Sequence, residues 1–175
     1  AIDTDAGVDD AVALCLALLT NVAGWEVKLV TTSFGNTSLK DVNTNVAKCR
    51  RACGLSAVTG PPASVGADRP LLGTAPIDAG YFHGKDGLGD SAAIPPIDHT
   101  PGAEHALGGE AESAVDAILA LSHRAQAEGR ELHLVTLGPC TNLALALTRD
   151  PTLPSRLSRV VLMGGCGNGA GNCTR

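Results

Sequence analysis

Four carboxylates stand within eight residues near the start of this chain, in Asp3-Thr4-Asp5-Ala6-Gly7-Val8-Asp9-Asp10, directly before a helix-like apolar run from Ala11 to Leu19. Carboxylates this close raise one another's pKa unless a cation or donors such as backbone N–H groups hold them ionised. Aspartate oxygens suit hard ions, Ca²⁺ or Mg²⁺, and no His or Cys stands among them to favour zinc. Asp9 or Asp10 also has a plainer use as a helix cap that complements the positive helix end, but capping employs one or two acidic groups rather than four. A hard cation so held orients hydroxyls and lowers the pKa of a bound water while a carboxylate beside it takes the proton, which points to hydrolysis.

Elements able to deliver such a motif follow in the chain. Ala1-Ile2 reads as the tail of an apolar strand whose beginning is absent, and Asp9 to Thr20 as a helix with apolar residues on nearly every side, packed between layers. Glu26 to Thr32 is β-rich and ends in the turn-like Ser33-Phe34-Gly35-Asn36. Ser38 to Cys53 reads as a helix, with Ser38 and Asp41 spaced as a capping box and Gly54 as the stop. A short strand is expected at Ala57 to Thr59. From Gly60 to about Gly109 the chain is rich in Gly, Pro and Asp without periodicity, and loops this long are usually functional or disordered. Within it, Tyr81-Phe82-His83-Gly84-Lys85-Asp86-Gly87-Leu88-Gly89-Asp90 combines glycines with a His and two carboxylates. Glu110 to Glu128 reads as a helix stopped by Gly129, Glu131 to Leu137 as a strand, and Thr141 to Thr148 as a helix opened by a Thr cap and ended at Asp150-Pro151. Arg159 to Met163 is the last expected strand, before Gly164-Gly165 and a glycine-rich tail.

Strands alternating with helices predict an α/β fold, a mostly parallel sheet flanked by helices. Ligands in such sheets sit at the carboxyl ends of the strands. The acidic cluster, Ser33 to Asn36, Leu137-Gly138-Pro139 and Met163-Gly164-Gly165 each follow a predicted strand, so four turns are expected to converge on one crevice.

The 175 residues, 44% hydrophobic and 18% charged, suit one domain with a real core. A net charge of −5, with Lys48-Cys49-Arg50-Arg51 as the nearest approach to a basic run, argues against nucleic-acid binding. No apolar run reaches membrane-spanning length and no charged-then-apolar leader precedes the motif, so a cytoplasmic protein without a membrane partner is expected. The six cysteines include no CxxC; Cys15 lies mid-helix and Cys49 with Cys53 is a helical pair, which reads as buried thiols rather than bridges. With only Trp25, Phe34, Tyr81 and Phe82, there is little to stack a planar ligand against.

Two familiar patterns fail on the residues. Haloacid-dehalogenase phosphatases share an Asp-x-Asp but usually continue with Thr or Val where Gly7 stands, and lack the Asp9-Asp10 pair. An EF-hand loop counted from Asp3 reaches Leu14 where a bidentate Glu is needed.

The full set of motifs resembles the inosine-uridine preferring nucleoside hydrolases. Asp3 to Asp10 matches the signature Asp-x-Asp-x-Gly-x-Asp-Asp, with Ala6 where Pro is common, and further matches run in order: Gly35-Asn36, His83-Gly84 with Gly87-Leu88, Gly138-Pro139 with Thr141-Asn142, Met163-Gly164-Gly165, and Gly171-Asn172. The resemblance implies a Rossmann-like nucleoside-hydrolase sheet, here residues 1–175 as the N-terminal half only, truncated at both ends. It implies Ca²⁺-dependent hydrolysis of the N-glycosidic bond of ribonucleosides, in purine or pyrimidine salvage. Asp5 would be general base and Ca²⁺ ligand, Asp10 a bidentate Ca²⁺ ligand, and the Leu137 carbonyl a third. Asp9, Asn36, His83, Met163 and Asn172 would bind substrate, and Asp3 would support the loop from behind. A small-molecule nucleoside is the expected partner, with homo-oligomerisation of the complete protein. The resemblance also implies a later Glu, Asn, His and Asp that this chain does not reach, so little turnover and weak calcium binding are expected of residues 1–175. The alternative is a non-catalytic remnant acting as a binding or interaction module.

Overall fold

Three- and four-residue segments rich in Val and Thr supply the strands: β1 (Ile2–Thr4), β2 (Val30–Thr32), β3 (Ala63–Val65), β4 (His133–Thr136) and β5 (Arg159–Leu162). In the computed structural model, which describes residues 1–20, 24–56, 59–73, 79–91 and 113–165, they form one sheet in the order β3-β2-β1-β4-β5 with every neighbouring pair parallel. Parallel strands need crossovers, and helices provide them on both faces. Ile2, Val30 and Ala63 pack with Leu14 of α1 (Val8–Leu19) and with Val42, Val46 and Cys49 of α2 (Leu39–Ala52). Leu134 packs on the other face with Ile118 and Leu121 of α4 (Ala114–Ala127) and with Leu143 and Ala146 of α5 (Thr141–Arg149). A single turn, α3 (Gly80–His83), lies between β3 and α4.

Capping chemistry sets the helix limits. Ser38 accepts from the Asp41 N–H and donates to its carboxylate, and Ser113 does the same with Asp116. Gly54 and Gly129, at φ +72° and +63°, end α2 and α4 as expected. Three expectations are corrected. The third strand is Ala63–Val65, inside the segment read as loop; Ala57 and Val58 lie outside the described residues and Thr59 is in a turn. Its ladder to β2 overrides a local sequence of Pro, Gly and Ser that carries no strand pattern. The second strand is confined to Val30–Thr32. α5 has Cys140, not Thr141, at its cap and no side-chain capping bond.

The order of the strands places the site. From β1 the chain winds outward through β2 to β3, then returns to β4 on the other side of β1 and winds outward to β5. The β1–β4 border is therefore the topological switch point, where the turns at the carboxyl ends part and leave a crevice. Among the described residues no helix is long and apolar enough to cross a membrane. Cys15, Cys49, Cys53 and Cys140 are free thiols, Cys140 exposed; Cys166 and Cys173 lie outside the described residues.

Candidate active site

β1 ends at Thr4, and the next six residues turn from the sheet into α1, placing Asp5 and Asp10 in the crevice almost wholly buried. The turn is tight enough to hold Ala6 at φ +38°, an uncommon left-handed conformation for a side chain with a Cβ. Asn36 in the turn after β2 draws the two carboxylates together. Its main-chain N–H donates to Asp5 Oδ2 at 3.0 Å, and its side-chain Nδ2 donates to Asp5 Oδ1 and Asp10 Oδ2, both at 3.1 Å. Asp10 also accepts from Thr4 Oγ1 at 2.7 Å and from the Gly7 N–H at 3.1 Å, so it caps α1 as well as facing Asp5. The Thr4 hydroxyl in turn accepts from the Ala6 N–H at 3.0 Å, which fixes its own proton on Asp10.

Two turns close against Asp5 so tightly that only glycine fits. A Cβ on Gly35 would run into Asp5 Oδ2, and one on Gly138 would lie 2.7 Å from Asp5 Cγ. The Leu137-Gly138 backbone after β4 therefore passes directly beside Asp5, and the Leu137 N–H is anchored to Asp3 O at 2.8 Å. Three of the four turns expected to converge do so here. Met163 follows β5 at the sheet edge, bonded through its N–H to Thr136 O and 55% exposed. Asn172 lies outside the described residues.

Beneath the crevice a polar row crosses the sheet: Ser64, Thr31, Asp3 and Thr136 are register partners on successive strands, all buried. Asp3 Oδ1 accepts from Thr31 Oγ1 at 2.5 Å and from Asn142 Nδ2 at 2.8 Å. Asn142 also donates to Thr32 O and accepts from the Ala67 N–H, so one side chain in the first turn of α5 ties the ends of β1 and β2 to the loop after β3. Asp3 lies in this row beneath the acidic turn, and its Oδ2 is a buried oxygen without a hydrogen-bond partner among the described residues.

On the open side, Asp9 is exposed over 55% of its side chain, 3.8 Å from Nδ1 of the buried His83, which accepts from the Val8 N–H at 3.2 Å. His83 comes from the glycine-rich loop singled out in the sequence, and a Cβ on Gly7 would strike both its ring and Asn36.

Burial dominates the electrostatics. It pushes Asp5 up to about 7, with the Asp10 charge adding to the rise and the Asn36 amide opposing it. Asp10 is raised by burial against the bonds from Thr4 and Gly7, and Asp3 is pushed up to about 6 by burial against those from Thr31 and Asn142. Two acids sharing one amide cannot both ionise at neutral pH without cost, and a cation between them removes that cost. The donor set, two carboxylates beside a main-chain turn with no His or Cys, fits a hard oxygen-seeking ion. Among the described residues no group of three or more His, Cys, Asp or Glu gathers into a metal centre, so the carboxylate contribution here is a pair.

Asn142 and Thr4 belong to the sequence motifs, which give them no role, and Asn45 belongs to none of them. Asn45 had a readable signal: it falls in the buried stripe Val42, Asn45, Val46, Cys49, where a polar side chain needs a partner.

Fold and site together define an α/β protein with a buried acidic centre at its switch point. Comparison with known proteins then gives the family: the model for inosine-uridine preferring nucleoside hydrolase matches residues 1–175, and the chain belongs to that family. It is 34% identical over 171 residues to uridine nucleosidase 1 of Arabidopsis thaliana, covering 98% of this chain and 46% of that one. It is also 34% identical over 175 residues to the inosine-uridine preferring nucleoside hydrolase of Crithidia fasciculata, covering 99% and 50%. A solved inosine-guanosine nucleoside hydrolase superposes with a TM-score of 0.81 at 32% identity, covering 98% of this chain and 51% of that structure. The chain spans about half the length of the curated relatives it matches.

Proposed function

We propose that this chain carries the acidic half of a Ca²⁺-dependent N-ribohydrolase site, which splits the N-glycosidic bond of a ribonucleoside with water to give ribose and free base. The observation that carries the reading is the Asp5–Asn36–Asp10 arrangement, two buried carboxylates aimed at one point with a glycine backbone on either side. Asp5 and Asp10, with the Leu137 carbonyl, are the residues that would hold Ca²⁺. When bound, the ion supplies the charge that orients the ribose diol and makes the water easier to deprotonate.

The remaining steps belong to the chain. Asp5, which a bound cation would keep ionised, would accept the proton of the attacking water at a carboxylate oxygen. The Asn36 main-chain N–H and the glycines at 35 and 138 hold that carboxylate in one orientation. Asp9, exposed at the mouth, accepts from a ribose hydroxyl, and its negative charge stabilises the sugar cation that develops as the bond to the base breaks. His83, Asn36, Met163 and Asn172 complete the substrate contacts in this reading.

A second reading has its own observation. Among the described residues no group of three or more His, Cys, Asp or Glu could hold a metal ion, and calcium affinity tracks the number of charged ligands; this favours residues 1–175 as a module that binds ribose without turning it over. The assay is release of free base from inosine and from uridine by residues 1–175 in excess calcium, with Asp5→Asn alongside. Base release that needs both calcium and Asp5, even well below an ordinary enzyme's about 1 to 10³ per second, is the expected result. Release indifferent to Asp5 overturns the mechanism, and nucleoside binding with no release establishes the binding module.

A further inference from the structure

We infer that Asn45 is a positioning residue that locks the His83 loop onto the acidic turn, an inference that rests on the functional reading above. Asn45 lies on α2, six residues after its first residue Leu39, and is 1% exposed. Its Nδ2 donates to Ala6 O at 3.1 Å and to Asp86 O at 2.8 Å. One amide group thus uses both of its protons on two carbonyls that belong to different site loops. Ala6 lies between Asp5 and Gly7 in the acidic turn, and Asp86 lies three residues beyond His83.

Other contacts make the lock specific. A Cβ on Gly87, whose φ is +82°, would lie 2.8 Å from Asn45 Nδ2 and equally close to Thr37, so Gly87 is required by the approach of the Asn45 amide. Thr37 Oγ1 donates to Lys85 O at 2.8 Å, one residue from the Asn36 that holds the carboxylate pair. The loop is stiffened from within, since Asp86 Oδ1 accepts from the Leu88 and Asp90 N–H groups and the Gly89 N–H donates to His83 O. A loop rigid in itself and pinned at Asp86 delivers His83 to the Val8 N–H and to the side of Asp9. The pin adds to the Thr37–Lys85 bond and to the 3.2 Å bond that His83 itself accepts. Ala6 is pinned by the same amide in a conformation it adopts reluctantly, so the acidic-turn side of the lock is held against a tendency to relax.

The test uses residues 1–175 and two substitutions, Asn45→Asp, which keeps the shape and removes the two donors, and Asn45→Ser, which keeps one shorter donor. Amide exchange and the ¹⁵N shift of His83 Nδ1 are the readouts. In Asn45→Asp the Val8 and Leu88 amides are expected to exchange about tenfold faster or more, as local opening without global unfolding predicts. The His83 Nδ1 signal moves toward its unbonded position, while Ile118 and Val135 keep their protection; Asn45→Ser falls between. Unchanged Val8 and Leu88 exchange overturns the inference, and so does an equal loss of protection at Ile118 and Val135, which marks a residue of general stability. The local effect in a protein that binds neither calcium nor nucleoside keeps the lock and overturns the functional reading.

Discussion

Asn36 grips both oxygens of Asp5, through its main-chain N–H on Oδ2 and its side-chain amide on Oδ1. The same amide reaches Asp10, so Asn36→Ala removes the donor common to the pair. Donors favour the ionised form, and a hydrogen bond to a charged group is worth about 1.5–3 kcal/mol. Urea denaturation should therefore show a larger loss at about pH 8 than at about pH 5, where protonation already relieves the pair. Equal losses at the two pH values would mean that the amide does not serve ionised carboxylates.

Burial lifts Asp3 from 3.8 to about 6 and Asp5 from 3.8 to about 7. Between the unfolded and folded values the folded chain holds protons that the unfolded chain has released, so this contribution to stability is complete below the unfolded pKa and is lost as pH rises through the folded one. The metal-free chain is expected to melt at a higher temperature in mild acid than above neutrality. Asp3→Asn keeps an acceptor for Thr31 and Asn142 without the buried charge. It should flatten the profile and add up to about 3 kcal/mol at alkaline pH. A profile that keeps its slope in Asp3→Asn would assign it to other groups.

Gly138→Ala puts a Cβ 2.7 Å from Asp5 Cγ and 2.8 Å from its Oδ1. Asp5 must turn away or the strand end must shift. Calorimetry should show calcium binding weakened by about tenfold or more, since ligand geometry and charge set the affinity. Binding equal to the parent's would remove the Leu137-Gly138 turn from the ion site.

Asp5→Asn and Asp9→Ala should separate in any form of the protein that turns over nucleoside. Asp5→Asn loses the base but keeps much of the shape, so kcat falls by about 10² to 10⁴ with little change in substrate affinity. Asp9→Ala loses a ribose contact and raises KM as well. Matching kinetics for Asp5→Asn and the parent would take Asp5 out of the mechanism.

β5 is an edge strand whose Val160, Val161 and Leu162 are exposed along with Met163, and α1 exposes Val12, Leu16 and Leu19 along one stripe. Unpaired edges and apolar faces of this kind associate. Sedimentation should show self-association of residues 1–175 that rises with concentration and weakens in Val161→Lys. A monomer at every concentration would count these faces as harmless.

Local pattern was enough for much of this protein. The acidic stretch from Asp3 to Asp10, the alternation of strands and helices, the Ser38–Asp41 cap and the stops at Gly54 and Gly129 are all decided by residues within a few positions of one another, and each was legible in the chain. So was the family, because its motifs are short and fall in order. β3 was not legible, because Ala63-Ser64-Val65 has no strand pattern and becomes a strand only by pairing with Val30 to Thr32. Nor were the roles of Asn45 and Asn142. Their partners Ala6, Asp86, Asp3, Thr32 and Ala67 are far away in sequence: the parallel sheet, by placing β4 beside β1, brings Asp3 and Thr32 within reach of Asn142, and the packing of α2 beside α1 brings the Ala6 carbonyl within reach of Asn45. The sequence by itself determined which side chains bear charge and where turns fall. Tertiary structure decided which carboxylates face each other and which donors hold them, since burial and hydrogen-bond geometry are properties of residues brought together from distant parts of the chain.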